Sequence, residues 1–156
     1  MASRLAPALF LAFAAGSTPA WAATPPPVAI AHIGAQLLYS NSGALSRDIA
    51  PPAKFSGWNT IIGEGDAGGA ASDVLVTVTL TSPSSQLNVA TPLFISARSA
   101  AGKVLAQRKI TNILIDNGKA FEFALLPDAT CAGKVTITAT LGQQTRSAVL
   151  ALDCGE

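Results

Sequence analysis

Between Val74 and Thr81 the chain alternates with a period of two. Val74, Val76, Val78 and Leu80 point one way, and Thr77, Thr79 and Thr81 point the other. Successive side chains of a strand face opposite sides, so this pattern describes a strand with one buried and one wetted face. Periods of two recur downstream and helical periods are missing, which predicts an all-β domain.

Two turns fix registers. Asn117-Gly118 suits a type I′ turn, because both residues tolerate positive φ. Folding about it sets Asp116 opposite Lys119, Leu114 opposite Phe121 and Ile110 opposite Leu125, with Phe123 on the same face. Gly142-Gln143 suits a type II′ turn and sets Ile137 opposite Ala148, Val135 opposite Leu150 and Gly133 opposite Leu152. A third hairpin is expected at Ala100-Ala101-Gly102, between Leu93–Ser99 and Val104–Ile110. Upstream, Val28–Ile33 and Gln36–Ser40 read as two short strands. The run from Pro51 to Ser72 reads as a long connection, and such loops are either functional or mobile.

About seven strands with regular turns favour a single antiparallel sandwich of two sheets, immunoglobulin-like or fibronectin-III-like. In that lettering Val74–Thr81 is B, Lys119–Leu126 is E, Gly133–Leu141 is F and Thr145–Asp153 is G.

The last hairpin also makes a statement about sulfur. Its register continues two residues beyond Gly133 and Leu152, to Cys131 opposite Cys154. Directly opposed residues have the Cα spacing that a disulfide needs. A redox-active pair would need C-x-x-C spacing or a flanking base, and neither is present. The bridge is expected to join neighbouring strands, unlike the link between B and F in antibody domains.

Residues 1–22 read as a cleaved signal peptide. Arg4 supplies the positive start, Leu5 to Ala15 the short apolar stretch, and Ala20-Trp21-Ala22 the small-x-small cleavage pattern. Residues 23–34 then form a Pro-rich leader (Thr24-Pro25-Pro26-Pro27) with the first strand, and 35–156 the sandwich. The expected location is the periplasm or the extracellular space, where disulfides persist. No Asn-x-Ser/Thr sequon occurs, which favours a bacterial source.

Without Arg4 the charges balance, and only 12% of residues are charged. Such a chain has no electrostatic footprint for nucleic acid, and nothing beyond the leader approaches membrane-spanning length. No nucleic-acid partner and no stable membrane insertion are expected.

Several motifs imitate chemistry. Gly63-Glu64-Gly65-Asp66-Ala67-Gly68 spells G-x-G-x-x-G, but a strand follows where a dinucleotide site needs a helix, and its acids would repel phosphate. Glu64, Asp66 and Asp73 could offer oxygens to calcium, without the spacing of a known calcium loop. His32, the only histidine, stands without a nucleophile elbow. The expectation is no enzyme, no cofactor and no metal.

One stretch stands out. Phe55-Ser56-Gly57-Trp58-Asn59-Thr60-Ile61-Ile62 concentrates apolar groups inside the long connection. Phe55, Trp58 and Ile62 could plug one end of the sandwich. Alternatively Tyr39, Trp58, Asn59, Glu64 and Asp66 form a surface that binds a partner, since aromatic anchors with polar neighbours mark interface centres. The leading functional expectation is an exported, non-catalytic module that binds another macromolecule of the cell envelope. A structural or assembly subunit of a surface polymer is the alternative, and a small hydrolase using Glu64, Asp66 or His32 the third reading.

Overall fold

A computed structural model describes residues 27–155; the expected signal peptide and the start of the leader lie outside that range. Nine strands follow in order: β1 Ala29–Tyr39, β2 Ala71–Thr81, β3 Gln86–Val89, β4 Leu93–Ser99, β5 Val104–Ile110, β6 Ile113–Asp116, β7 Lys119–Leu126, β8 Gly133–Leu141 and β9 Gln144–Leu152. They form two antiparallel sheets, ordered β1-β2-β7-β6-β3 and β5-β4-β8-β9. Among the described residues there is no helix, and so none long and apolar enough to cross a membrane.

The core lies between the sheets. Ile33, Ala35 and Leu37 of β1, Val74, Val76, Val78 and Leu80 of β2, and Ala124 and Leu126 of β7 point inward from the first sheet. Leu93 and Ile95 of β4, Val135, Ile137 and Ala139 of β8, and Leu150 and Leu152 of β9 meet them from the second. The alternation of Val74–Thr81 is realised as read, with the valines and Leu80 buried and the threonines outward.

The β8–β9 register matches the reading from Gly142 onward: Val135 faces Leu150, Ile137 faces Ala148 and Gly133 faces Leu152. Gly142 takes φ 58°, the conformation that such a turn demands. The disulfide follows from it. Cys131 and Cys154 are bonded, with their Cα atoms 5.0 Å apart. The β4–β5 hairpin also forms as expected.

Three expectations need correction. The two short N-terminal strands are one 11-residue strand, β1. Gly34 does not break it, because His32 and Asp48 fill the space beside it. The strand count rises from seven to nine, with β3 and β6 pairing together at one margin. Around Asn117-Gly118 only Asp116↔Lys119 pairs as read. Asn112 turns at φ 58° and carries the chain from one sheet to the other, so Ile110 pairs with Leu93 rather than Leu125. Leu114, Phe121, Phe123 and Leu125 do share a face, but it is the outward one.

The free margin of β1 is occupied by the chain itself. The Ser46 and Ile49 amides donate to the Leu37 and Ala35 carbonyls at 3.0 and 2.7 Å, and the Tyr39 amide donates to Ala44 at 2.9 Å. Side chains finish the cover. Ser46 Oγ accepts the Leu37 amide and Asp48 Oδ1 the Ala35 amide, both at 2.9 Å. From β9, Gln144 donates to the Val28 carbonyl at 2.7 Å and Arg146 to the Ile30 carbonyl at 3.3 Å.

Candidate functional site

The long connection between β1 and β2 is a folded loop rather than a slack one. The Asn59 carbonyl accepts amides from Ile62, Gly63 and Glu64 at 3.0–3.1 Å, closing a tight turn in which Asn59 itself takes φ 49°. Asn tolerates that region because its side chain can bond locally. Here Asn59 Nδ2 donates to Glu64 Oε2 at 3.1 Å. Asp66 Oδ2 accepts the Ser56 amide at 2.7 Å, which ties the two ends of the turn together. The Tyr39 hydroxyl accepts the Gly68 amide at 3.0 Å, and its ring lies against Gly68 and Gly69.

The floor under this loop is the C-terminus. Thr60 is fully buried, and its hydroxyl donates to Cys154 Sγ at 3.3 Å, since a bridged sulfur has no proton to give. A Cβ placed on Gly57 would stand 2.7 Å from the Asp153 carbonyl oxygen. One placed on Gly155 would collide with the Trp58 indole. Gly57 therefore lets the loop backbone meet that of Asp153, and Gly155 leaves room for the Trp58 indole, both directly beside the disulfide.

What the loop presents is apolar. Trp58 is 47% exposed, Ile61 61% and Ile62 65%. Phe55 is the member of the aromatic stretch that packs against the core. The end-plug reading therefore holds for Phe55 and fails for Ile62, and Trp58 lies half in each. The structure brings Tyr39, Trp58, Asn59, Glu64 and Asp66 into one unit. The polar members hold the loop's shape: Asn59 and Glu64 bond each other, and Asp66 bonds Ser56 with Arg47 3.9 Å away. Ile61 and Ile62 were not singled out from sequence as partner-facing. Their signal was present, an apolar pair between two turn residues, Asn59 and Gly63, where no strand period could bury it.

The other candidate chemistry is sparse. Gly63 and Gly65 take φ 81° and 68°, so the glycine string serves turns. Among the described residues no three His, Cys, Asp or Glu side chains gather as a metal site would need. His32 Nε2 lies 2.8 Å from Asp48 Oδ2, and among the described residues no hydroxyl or thiol is hydrogen-bonded to the ring. Asp48 feels burial, which raises its pKa, but the Ala35 and Ala50 amides and His32 together outweigh this and hold it below the ordinary value. Glu122 is shifted the other way. Burial raises it, and Arg108, which donates to the Phe123 carbonyl, offsets that in part. A groove of about 270 Å³ at one end of the sandwich is lined by Val28, Val89, Thr91, Leu141 and Gln144. It has room for a small apolar group and no titratable side chain in its wall.

No family model matches the chain, and no curated protein matches it. Among solved structures, the C-terminal domain of wzt is similar over 83% of this chain and 74% of that one, with a TM-score of 0.41 and 11% identity.

Proposed function

We propose that this chain is an exported, non-catalytic β-sandwich module that binds another macromolecule of the cell envelope through the loop between β1 and β2. One observation carries the proposal: Trp58, Ile61 and Ile62 stand exposed together on a loop shaped by its own hydrogen bonds. Displaying three large apolar side chains on a pre-shaped support lowers the ordering cost of an encounter. Trp is also among the residues that most often anchor interfaces. The pattern of residues 1–22 supports export to the periplasm or beyond, and a disulfide suits an oxidising compartment.

The topology is immunoglobulin-like in this proposal. β1, β2, β7 and β6 stand for A, B, E and D, and β5, β4, β8 and β9 for C′, C, F and G, an assignment supported by the two sheet orders. The polymer-subunit alternative has less to rest on, because the chain's own residues 44–50 occupy the β1 margin where a donor strand would add.

The test is capture from envelope extract by immobilised protein, with the triple variant Trp58→Ala/Ile61→Ser/Ile62→Ser beside the natural chain. The proposal expects a retained partner that the triple variant loses while its melting temperature stays unchanged. Equal capture by both, or none by either, overturns it. Hydrolysis of a generic ester or peptide that His32→Ala abolishes would replace it with the hydrolase reading.

A further inference from the structure

The formal charge of the whole chain is only +1, but the charges are unevenly placed. The strands of the first sheet carry three acids, Asp73, Asp116 and Glu122, and one base, Lys119. Those of the second carry five bases, Arg98, Arg108, Lys109, Lys134 and Arg146, and no acid. Arg108 and Arg146 turn to the flanks of the sandwich, where they donate to the Phe123 and Ile30 carbonyls of the first sheet. Arg98, Lys109 and Lys134 point outward, since Ala97, Ile110 and Val135 beside them are buried. All three are exposed, and Lys103 at the β4–β5 tip adds a fourth cation. Among the described residues none of the four has a carboxylate within 4.0 Å. Asp153, one residue past β9, borders the face beside Gly133.

Hydroxyls fill the ground between these cations. Thr136, Thr138 and Thr140 line β8, flanked by Thr145 and Ser147 on β9 and Ser96 on β4. Thr138 and Ser147 bond each other at 3.1 Å, and Thr140 and Thr145 at 3.3 Å. Each pair uses one proton internally, so each still offers one donor and free lone pairs to a ligand. Phe94 lies in the same surface, 41% exposed, with Lys109 Nζ 5.6 Å from its ring centre. The cations trace a diagonal from Lys109 on β5 through Arg98 on β4 to Lys134 on β8. Lys109 stands level with Phe94 and Thr140, six residues along β8 from Lys134, which is about 20 Å.

We infer that this face binds a linear acidic polysaccharide, a chain of sugar rings that bear carboxylates. Cations this far apart exceed the reach of a single small anion, whereas repeated acids along one chain meet all of them. Arg98 spends one N–H on the Gly102 carbonyl at 3.1 Å and keeps the rest of its fork for a carboxylate. Sugar hydroxyls exchange hydrogen bonds with the threonine ladder, and the C–H face of one ring covers Phe94. Other polyanions ask for different features. Single-stranded nucleic acid is held on several aromatic platforms, and a duplex by more phosphate contacts than four cations supply. A membrane surface takes up large apolar groups, and the hairpin tips of this sheet, Ala100-Ala101-Gly102-Lys103 and Gly142-Gln143, have none. The face is separate from the Trp58 loop and does not depend on it.

Affinity electrophoresis through gels holding alginate or polygalacturonate tests the inference, with dextran as the neutral reference. The natural chain is expected to be retarded by at least one acidic polymer and not by dextran. Arg98→Gln/Lys109→Gln/Lys134→Gln should weaken that binding about tenfold, the strength of three exposed ion pairs, with an unchanged melting temperature. Thr138→Val/Ser147→Ala leaves the charge alone and should weaken it several-fold. Lys119→Gln on the other sheet and Trp58→Ala/Ile61→Ser/Ile62→Ser should bind as the natural chain does. No retardation by either acidic polymer overturns the inference. So does binding that the glutamine variant retains, that is indifferent to the hydroxyls, or that the Lys119 or loop variants lose. Tighter binding to double-stranded DNA or to phosphatidylglycerol vesicles than to both polysaccharides overturns it as well.

Discussion

The disulfide lends itself to a quantitative perturbation, because it has a global effect and a local one that can be separated. Cys131 and Cys154 lie 23 residues apart. Closing a loop of that length removes about 3.4 kcal/mol of denatured-state entropy in the chain-entropy treatment. For a domain of this size each kcal/mol moves the midpoint by about 3–5 °C, so losing the bridge should lower it by roughly 10–15 °C. The local effect runs through Thr60, whose buried hydroxyl donates to Cys154 Sγ. In Cys131→Ala/Cys154→Ala that hydroxyl loses its acceptor, a further penalty of about 1–3 kcal/mol. In Cys131→Ala/Cys154→Ser an oxygen remains for it, and only the entropic part is lost. The assay is thermal unfolding by circular dichroism together with tryptophan emission, in the chain from Ala23 onward, where Trp58 is the sole tryptophan. The natural chain should show coincident transitions. In the double-alanine variant the Trp58 signal should move before the sheet signal, since the C-terminal segment beneath the loop is released. A midpoint unchanged within about 3 °C, or coincident transitions in every variant, would refute the reasoning.

Two further outcomes follow from the same contacts. Asp48→Ala removes the acceptor of two amides, Ala35 and Ala50, and should destabilise by roughly 1–3 kcal/mol at neutral pH in urea titrations. Because the folded pKa of Asp48 lies below its ordinary 3.8, the carboxylate's contribution is full above that value and fades as pH falls through the folded one. The gap between the natural chain and Asp48→Asn should therefore shrink in acid, and a gap that widens would count against the assignment. Gly57→Ala pushes a methyl to 2.7 Å from the Asp153 carbonyl. It should cost about 1–3 kcal/mol by overpacking and shift Trp58 emission.

The β8–β9 hairpin was legible residue by residue, because a single turn at Gly142 sets every pair behind it, Cys131 and Cys154 included. The β6–β7 hairpin was legible only at its tip. Beyond Asp116↔Lys119 the outcome depends on Ile110 finding Leu93 in the other sheet, a pairing that no local pattern encodes. β7 is apolar at both parities, so its own sequence does not say which face turns inward. Its neighbour decides: Val74 and Val76 point one way only, and their partners Leu126 and Ala124 follow them into the core. The short β3, Gln86–Val89, has too little alternation to stand out. In the loop, the chain's chemistry announced an aromatic patch but not its orientation. The Trp58 indole lies against Gly155, and the neighbouring Gly57 against Asp153, nearly a hundred residues away, and a window along the chain does not see these contacts.

The strip of chain from Ala44 to Ala50 lying along β1 bears on how this protein could go wrong. An unoccupied strand border is the template on which fibrils grow. Here the longest border is plugged by backbone and by the carboxylate of Asp48. The borders of the second sheet, β5 and β9, carry Arg108 and Lys109 on the one and Arg146 on the other, and such charges discourage stacking. Misassembly along β1 would have to begin by peeling that strip away, so proteolytic nicking between Ala44 and Ala50 should precede any deposit that grows from this border.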